Sequence, residues 1–536
     1  MIQFLLLMGE ISSRRRMMRK WLVILIVSIW LPLLVFGQAG IKKYKDTIVY
    51  ANNTDVITLD PQQQTDTTSE EVVKMLYNNL MTFALDGTVV TDLAKDWKVS
   101  ADNLTWTFTL KENVKFHSGK EMTSKDVKAT FDRLLDPASK LVTKSLVAPI
   151  KAVNAIDKYT VTIVTKDPYG PMLSMLSNAQ LAIVDADMVA KYGAEIGKDV
   201  KTINGTGPYK LVSWKRDEEI LLERHVGHFR GDALTKYIKL RPIPEPAARV
   251  IALETGEVDA IKQIPSEEFP RLKSRTPGIK IIQQASAGQR IFRFGLNDPV
   301  ISNLKVRQAI LYALDRDEII ETLFPGQAVP STSTIAKPVF GYANMGVIKQ
   351  DKEKARRLFA EAGYSKGFKT KIVTTERYAK GVQLAEVMAS QLAEFGIETK
   401  IEVIEWSTLL PLWRTKAKKD FDQPMFIGGM GTSMLDGDGA YRGLYDTVID
   451  ESKERRNYGF YSNKEVDNLI LAGMKETNPE KRKAIYKRIQ EITYLEDPFG
   501  IWLFDTYSEL AIKTKLSGVS IHPSGAITFE FALLEQ

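Results

Sequence analysis

Strand-like and helix-like patterns alternate from about residue 45 to the end of this chain, with no solenoid-period repeat or low-complexity tract between them. That alternation predicts an α/β fold, with strands joined through covering helices. Thr47–Ala51 reads as a strand, and Ser69–Met81 as a helix capped by Ser69 with Val72, Val73, Leu76 and Leu80 on one face. Leu104–Leu110 and Tyr159–Thr165 alternate as half-buried strands do, and Ser124–Leu135 places Val127, Phe131, Leu134 and Leu135 on one helical face. Farther on, Leu304–Phe324 and Asp351–Ala362 predict helices, the second ended by Gly363. Lys371–Thr375, Tyr378–Phe395 and Glu398–Ile404 follow as strand, helix and strand, a βαβ unit whose crossover is expected to be right-handed. Lys464–Lys475 and Pro479–Tyr494 complete the helices, the latter opened by its proline. A chain of 536 residues exceeds the roughly 250–300 at which one core stops growing. At least two α/β lobes are therefore expected, plus a strand-richer section around residues 90–200.

The N-terminus has its own signature. A basic cluster, Arg14 to Lys20, precedes the apolar run Trp21 to Phe36, which ends in Gly37-Gln38-Ala39. The run is shorter than the roughly 18–20 apolar residues of a spanning helix. Basic flank, apolar centre and small exit residues predict a secretory signal over residues 1–39, cleaved near Ala39. An uncleaved anchor is the other reading. Met17 or Met18 would make a more typical start, and Ser13-Arg14-Arg15-Arg16 loosely matches a twin-arginine signal.

That segment also carries much of the charge. Residues 1–39 hold five basic residues and one acidic, a net +4 of the chain's +7, leaving a dispersed +3. Nucleic-acid binding is not expected from so small an excess. With no cysteine, thiol and cysteine-metal chemistry are excluded, and so is a lipoprotein anchor on a cysteine after the signal. The mature protein is expected to be free in the periplasm. Four histidines remain. His225 and His228, spaced to share a metal, are expected in a surface turn with Gly227 and Gly231 instead. No metal or cofactor is expected, and no GxSxG, HExxH or P-loop motif argues for an enzyme.

An ordered series of motifs runs along the chain: Leu59-Asp60-Pro61, Leu76-Tyr77-Asn78-Asn79-Leu80, Val114-Lys115-Phe116-His117-Ser118-Gly119 and Asn204-Gly205-Thr206-Gly207-Pro208-Tyr209. Glu254-Thr255-Gly256-Glu257-Val258-Asp259, Val306-Arg307-Gln308-Ala309-Ile310 with Ala313-Leu314-Asp315-Arg316, and Tyr461-Ser462-Asn463-Lys464 continue the series, which spans nearly all of residues 45–510. The ordered set resembles the extracytoplasmic solute-binding proteins of peptide-type ABC importers, the oligopeptide, dipeptide and nickel-binding family. Most of it reads as scaffold. Gly205 and Gly207 would supply positive φ to a tight reversal fixed by Pro208. His117 would be packed or hydrogen-bonded, and Arg307 and Asp315, eight apart on one helix, would form a structural pair.

The resemblance implies a type II periplasmic-binding-protein fold, two hinged lobes with an additional strand-rich domain. The expected division is a first domain of residues 45–88, 201–294 and 508–536, a second of 89–200, and a third of 295–507, with ligand held between the first and third. The family's ligand-reading loop corresponds to Phe426–Tyr445. Where peptide binders carry an Asp for the ligand's α-amino group, Ser433 stands here. Asp436 and Asp438 follow and could take a cationic group, although Asp436-Gly437-Asp438-Gly439 is also good turn chemistry. The run Asp438 to Tyr445, with Tyr441 and Arg442, looks like the branch that includes glutathione-binding members, and Arg442 could hold a carboxylate bidentately. Trp406 is expected to line the cleft. Thr65 and Thr67 offer hydroxyls at a helix N-terminus suited to a carboxylate. Arg293 lies near the predicted crossing and could face the cleft.

The function implied is capture of a short peptide or glutathione-like solute by a monomer that delivers it to an ABC permease complex in the inner membrane. Nickel-chelate, haem and sugar binders within the same class, or a ligand-presenting sensor or chaperone module, are the alternatives.

Overall fold

Two long strands, Ile279–Phe294 and Gly500–Lys513, pair antiparallel along most of their length and carry every other element of the main sheet. The computed structural model describes residues 43–536 apart from 451, 452 and 454, so the predicted signal segment lies outside the described residues. Within them, Asp46–Leu534 form one compact unit. On one side of the long pair lie Met425–Met430, Lys369–Thr374 and Glu398–Val403. On the other lie Ala260–Lys262, Thr47–Asn52, Tyr237–Pro242, Glu219–Arg224 and Tyr209–Lys215. Lys369–Thr374 runs parallel to both of its neighbours, and so does Thr47–Asn52. Each flank thus contains a parallel α/β core, one of them extended by the antiparallel strands Glu219–Arg224 and Tyr209–Lys215, and the two are sewn together by the antiparallel centre. The expected α/β architecture and its βαβ unit are present, the connecting helix being Gly381–Ala393.

The register of the long pair shifts twice, between Ala285 and Gln289 and again between Arg290 and Ile291, the first being the larger. Ala285 faces Tyr507, but the next pairing is Gln289 with Asp505, so Ser286, Ala287 and Gly288 all stand opposite Thr506. The Thr506 hydroxyl donates to the Gly288 carbonyl at 3.1 Å, and the Gly288 N–H donates to the Ser286 hydroxyl at 2.8 Å. The bulge replaces lost ladder bonds with local side-chain bonds and bends the strand where the two flanks meet.

The strand-richer section is a separate antiparallel sheet in the order Ala94–Val99, Thr105–Leu110, Thr160–Thr165, Ile150–Ala155. Trp106, Phe108, Val161 and Ile163 point into its core, their threonine neighbours outward, as the period-2 pattern requires. Helix Ser124–Leu135 closes that core with Val127, Phe131 and Leu134, each contributing about 1.5–3 kcal/mol of apolar burial.

Several local expectations are corrected. The first helix is Thr67–Leu76 and its cap is Asp66, whose Oδ1 accepts the Ser69 N–H at 2.8 Å; Met81 belongs to the next strand. Ser69 instead accepts the Ile57 N–H through its hydroxyl. Leu304–Phe324 is two helices, Leu304–Ala313 and Arg316–Leu323, because Leu314 is extended and Asp315 caps the second through the Glu318 N–H. Arg307 consequently pairs with Asp497 rather than Asp315. Neither Gly205 nor Gly207 has positive φ. They are glycines because the chain passes so close to the first helix: a Cβ on Gly205 would stand 1.9 Å from the Leu76 carbonyl oxygen, and one on Gly207 2.4 Å from that of Met75. His225 and His228 sit in a turn but are buried, not on the surface. Burial drives His117 down to about 3 and His228 to about 4, and the His117 ring meets His225 edge-on at 4.9 Å while bonding the Gly207 carbonyl. They form a neutral structural cluster.

Candidate functional site

The bulge forms the floor of a cavity of about 280 Å³. One wall is Gln64 to Thr67 with Glu70, from the entry and first turn of helix Thr67–Leu76; Ser524 closes that side. The opposite wall is Gly431, Thr432 and Ser433, which leave the end of strand Met425–Met430; Asn178 and Gln180 fill the gap. The same Gly431–Ser433 segment walls a second compartment of about 370 Å³, lined also by Ser145, Asp438, Arg442, Asp446 and Arg456. Both open beyond the carboxyl end of a parallel strand, where open α/β sheets place ligands.

The two compartments differ in charge. The first presents acids. Asp66 caps the helix with one oxygen, and its Oδ2 is buried without a hydrogen-bond partner among the described residues. Glu70 accepts the Ser524 hydroxyl at 2.7 Å. A carboxylate already occupies the helix N-terminus beside Thr65 and Thr67, which offsets its pull on a ligand anion. The second compartment brings the guanidiniums of Arg442 and Arg456 beside the carboxylates of Asp438 and Asp446. Arg442 donates to Asp438 Oδ2 at 2.8 Å, and Tyr169 donates to the same oxygen at 3.2 Å; Asp438 Oδ1 has no partner among the described residues. Burial raises the Asp438 carboxyl above its usual range even though Arg442 opposes it. Burial presses the Arg442 guanidinium the other way, but Asp438 and Tyr169 outweigh it and hold it raised. Arg456 lines the same compartment.

The residues singled out from sequence fall into three groups. Thr65, Thr67, Ser433, Asp438 and Arg442 line the two compartments. Ser433 accepts the Asn178 side-chain N–H at 3.0 Å, tying the loop to the strand-rich section. Asp436 and Tyr441 are fully buried. Asp436 caps helix Gly437–Tyr441, forms an ion pair with Arg482 at 2.9 Å and accepts from Ser174 and Tyr486 at 3.2 Å each. Tyr441 packs edge-on against Tyr445 at 5.0 Å. These two hold the loop in place. Trp406 and Arg293 lie outside both linings. Trp406 opens helix Trp406–Thr415, meets Tyr378 and Trp413 edge-on, and lines a separate hollow with Arg377. Arg293 is buried in the sheet beside Gly428. Glu70, Asn178, Gln180, Ser524, Arg456 and the bulge Ser286–Gly288 were not anticipated. Only Glu70, an acid in the first turn of an expected helix, had a recognisable sequence signal.

This architecture has known counterparts. Residues 88–451 match the model of the bacterial extracellular solute-binding proteins, family 5, and the chain belongs to that family. It is a binding protein rather than an enzyme. Among curated relatives, the glutathione-binding protein GsiB of Salmonella typhi is 29% identical over 494 residues, spanning 92% of this chain and 95% of GsiB. Among solved structures, HbpA2 from Haemophilus parasuis superposes with a TM-score of 0.82 at 23% identity, covering 91% of this chain and 100% of that one. The ABC transporter-associated periplasmic binding protein DppA from Helicobacter pylori, in complex with the peptide STSA, gives 0.74 at 26% identity over 92% and 99% of the two chains. The family expected from the motif series is the family found.

Proposed function

We propose that this protein captures a short peptide or glutathione-like zwitterion between two α/β lobes and delivers it to an ABC permease from outside the inner membrane. The lobes would be residues 45–88, 201–294 and 508–536 on one side and 295–507 on the other, with 89–200 as an accessory domain. The periplasm is the expected compartment, after removal of residues 1–39. One observation carries the reading: carboxylates alone are the charged groups lining one compartment, two arginines enter the other beside Asp438 and Asp446, and both share the wall Gly431–Ser433. A ligand ammonium would face Asp66 and Glu70, and a ligand carboxylate would face Arg442, with Asp438 holding that guanidinium in position. Peptide backbone would lie along Gly431–Ser433, whose exposed polar groups tolerate varied side chains. Thr65, Thr67 and Ser433 would contribute hydroxyls. The GsiB relationship favours a glutathione-like solute within this class.

Isothermal titration with glutathione, dipeptides and tripeptides tests the proposal. Glu70→Gln and Arg442→Ala are each expected to weaken binding about 10- to 100-fold, the worth of one charge-assisted hydrogen bond. Saturation at one ligand per chain, with the ligand recovered unchanged, is the second expected result. Unaltered affinity in both variants would remove the assignment.

A further inference from the structure

A separate cavity of about 280 Å³ opens around the last turn of helix Thr67–Leu76, and it shares no lining residue with either compartment of the cleft. Much of its wall is apolar. Met75, Phe83 and Phe529 are buried there, while Leu85 and Phe531, 53% and 61% exposed, stand where the cavity meets solvent.

Two nitrogens on this lining lack an acceptor. The Lys74 ammonium makes no hydrogen bond or ion pair among the described residues. Burial pushes it down from its ordinary value, against the pull of Glu70 and Asp92. Both of those acids are engaged elsewhere. Glu70 accepts the Ser524 hydroxyl at 2.7 Å, and Asp92 accepts from Arg230 and from the Asn79 N–H at 3.1 Å each. The second nitrogen belongs to His522, which is 6% exposed. The Ser524 N–H donates to its Nδ1 at 3.1 Å, and burial with the Lys74 charge keeps the ring neutral. A neutral imidazole that accepts at Nδ1 carries its proton on Nε2. That Nε2–H is buried without a partner among the described residues, beside the Phe83 backbone on the cavity wall.

An ammonium and an N–H drawn out of water without acceptors are costly. The acids of the lining do not relieve them, because Arg230 holds both Asp92 and Glu530. Glu530 leaves Oε1 unpartnered among the described residues, but burial raises that carboxyl toward its neutral form, so it opposes a ligand anion weakly.

We propose that this cavity is a second ligand site, separate from the cleft, for a small monocarboxylate with a short apolar chain. The carboxylate would accept from Lys74 Nζ and His522 Nε2, and the chain would lie against Phe83, Leu85 and Phe531. Neither the peptide reading of the cleft nor its residues enter this assignment.

Acetate, butyrate and butylammonium are exchanged for the ions of sodium chloride at fixed ionic strength and followed by calorimetry and melting shifts. Wild type is compared with Lys74→Met, Lys74→Arg and Arg442→Ala. Butyrate is expected to bind wild type at least ~5-fold more tightly than acetate, because two more methylenes enter an apolar space. Butylammonium, with the same chain and the opposite charge, should not bind. Lys74→Met should weaken butyrate at least ~10-fold. Without ligand that variant should melt above wild type, having lost an unmatched charge, which separates loss of the site from loss of the fold. Lys74→Arg should keep part of the affinity, and Arg442→Ala all of it. Butyrate binding unchanged in Lys74→Met, or lost in Arg442→Ala, would overturn the second site. So would equal binding of butyrate and butylammonium, or no response to any probe, which would make the cavity a hydrated space only. The peptide titrations of the cleft are decided separately, since no probe here is a peptide.

Discussion

Single residues in this protein are set by what surrounds their charge. Glu509 lies on Gly500–Lys513 near the bulge, where burial raises its carboxyl to about 7 while Gln283 and Gln327 each donate to it at 2.8 Å. The folded state therefore holds the proton more tightly than the unfolded chain does. Its stabilising contribution is complete below about pH 4 and is lost as pH rises through 7. Glu509→Gln should abolish that loss, so that the variant gains about 1–3 kcal/mol on wild type between pH 5 and pH 8 in urea melts. The same principle separates the two aspartates of the loop. Asp436-Gly437-Asp438-Gly439 has the composition of both a turn and a site, and sequence offers no means of dividing those roles. Burial divides them: Asp436 is surrounded by Arg482, Ser174 and Tyr486, whereas Asp438 keeps one oxygen unpartnered beside a cavity.

Secondary-structure elements were legible wherever periodicity was strong and opaque wherever tertiary contacts chose between alternatives. The alternation in Thr105–Leu110 and the amphipathic face of Ser124–Leu135 appear as read, because half-burial imposes those periods directly. Leu304–Phe324 looked continuous because its apolar spacing continues through Leu314. The break follows from Asp315, which caps a new helix and donates its N–H to Gln391, 76 residues away. Glycine is the other blind spot, since the sequence does not tell a required conformation from a required absence. Gly205 and Gly207 belong to the second kind. Gly205→Ala should force apart the loop and the first helix at a cost of about 1–3 kcal/mol, seen as a lower denaturation midpoint with an unchanged m-value. An unaltered midpoint would mean the approach is looser than described.

On the scale of the whole molecule, the motif series identified the family, yet the residues around the cleft came from seven separated stretches that no local pattern joins. Gln64–Glu70, Ser145–Leu146, Asn178–Gln180, Ser286–Gly288, Gly431–Asp446, Arg456 and Ser524 meet only because the long strands bring both flanks together. The bulge at Ser286–Gly288 is the place where those strands trade ladder bonds for side-chain bonds, and so the place where bending disturbs the fewest of them. Ligand contacting both flanks should favour a closed arrangement. Small-angle scattering is expected to show the radius of gyration falling when glutathione saturates the protein, and an unchanged profile at saturation would argue for a rigid cleft. The shared strands also bear on dissection of the gene. Neither half can be expressed alone without stripping Ile279–Phe294 or Gly500–Lys513 of its neighbours, which would bare long hydrogen-bonding margins prone to self-association. A split reporter or a swapped-lobe chimera built on this scaffold would need its seam elsewhere, in an exposed turn that leaves the pair whole.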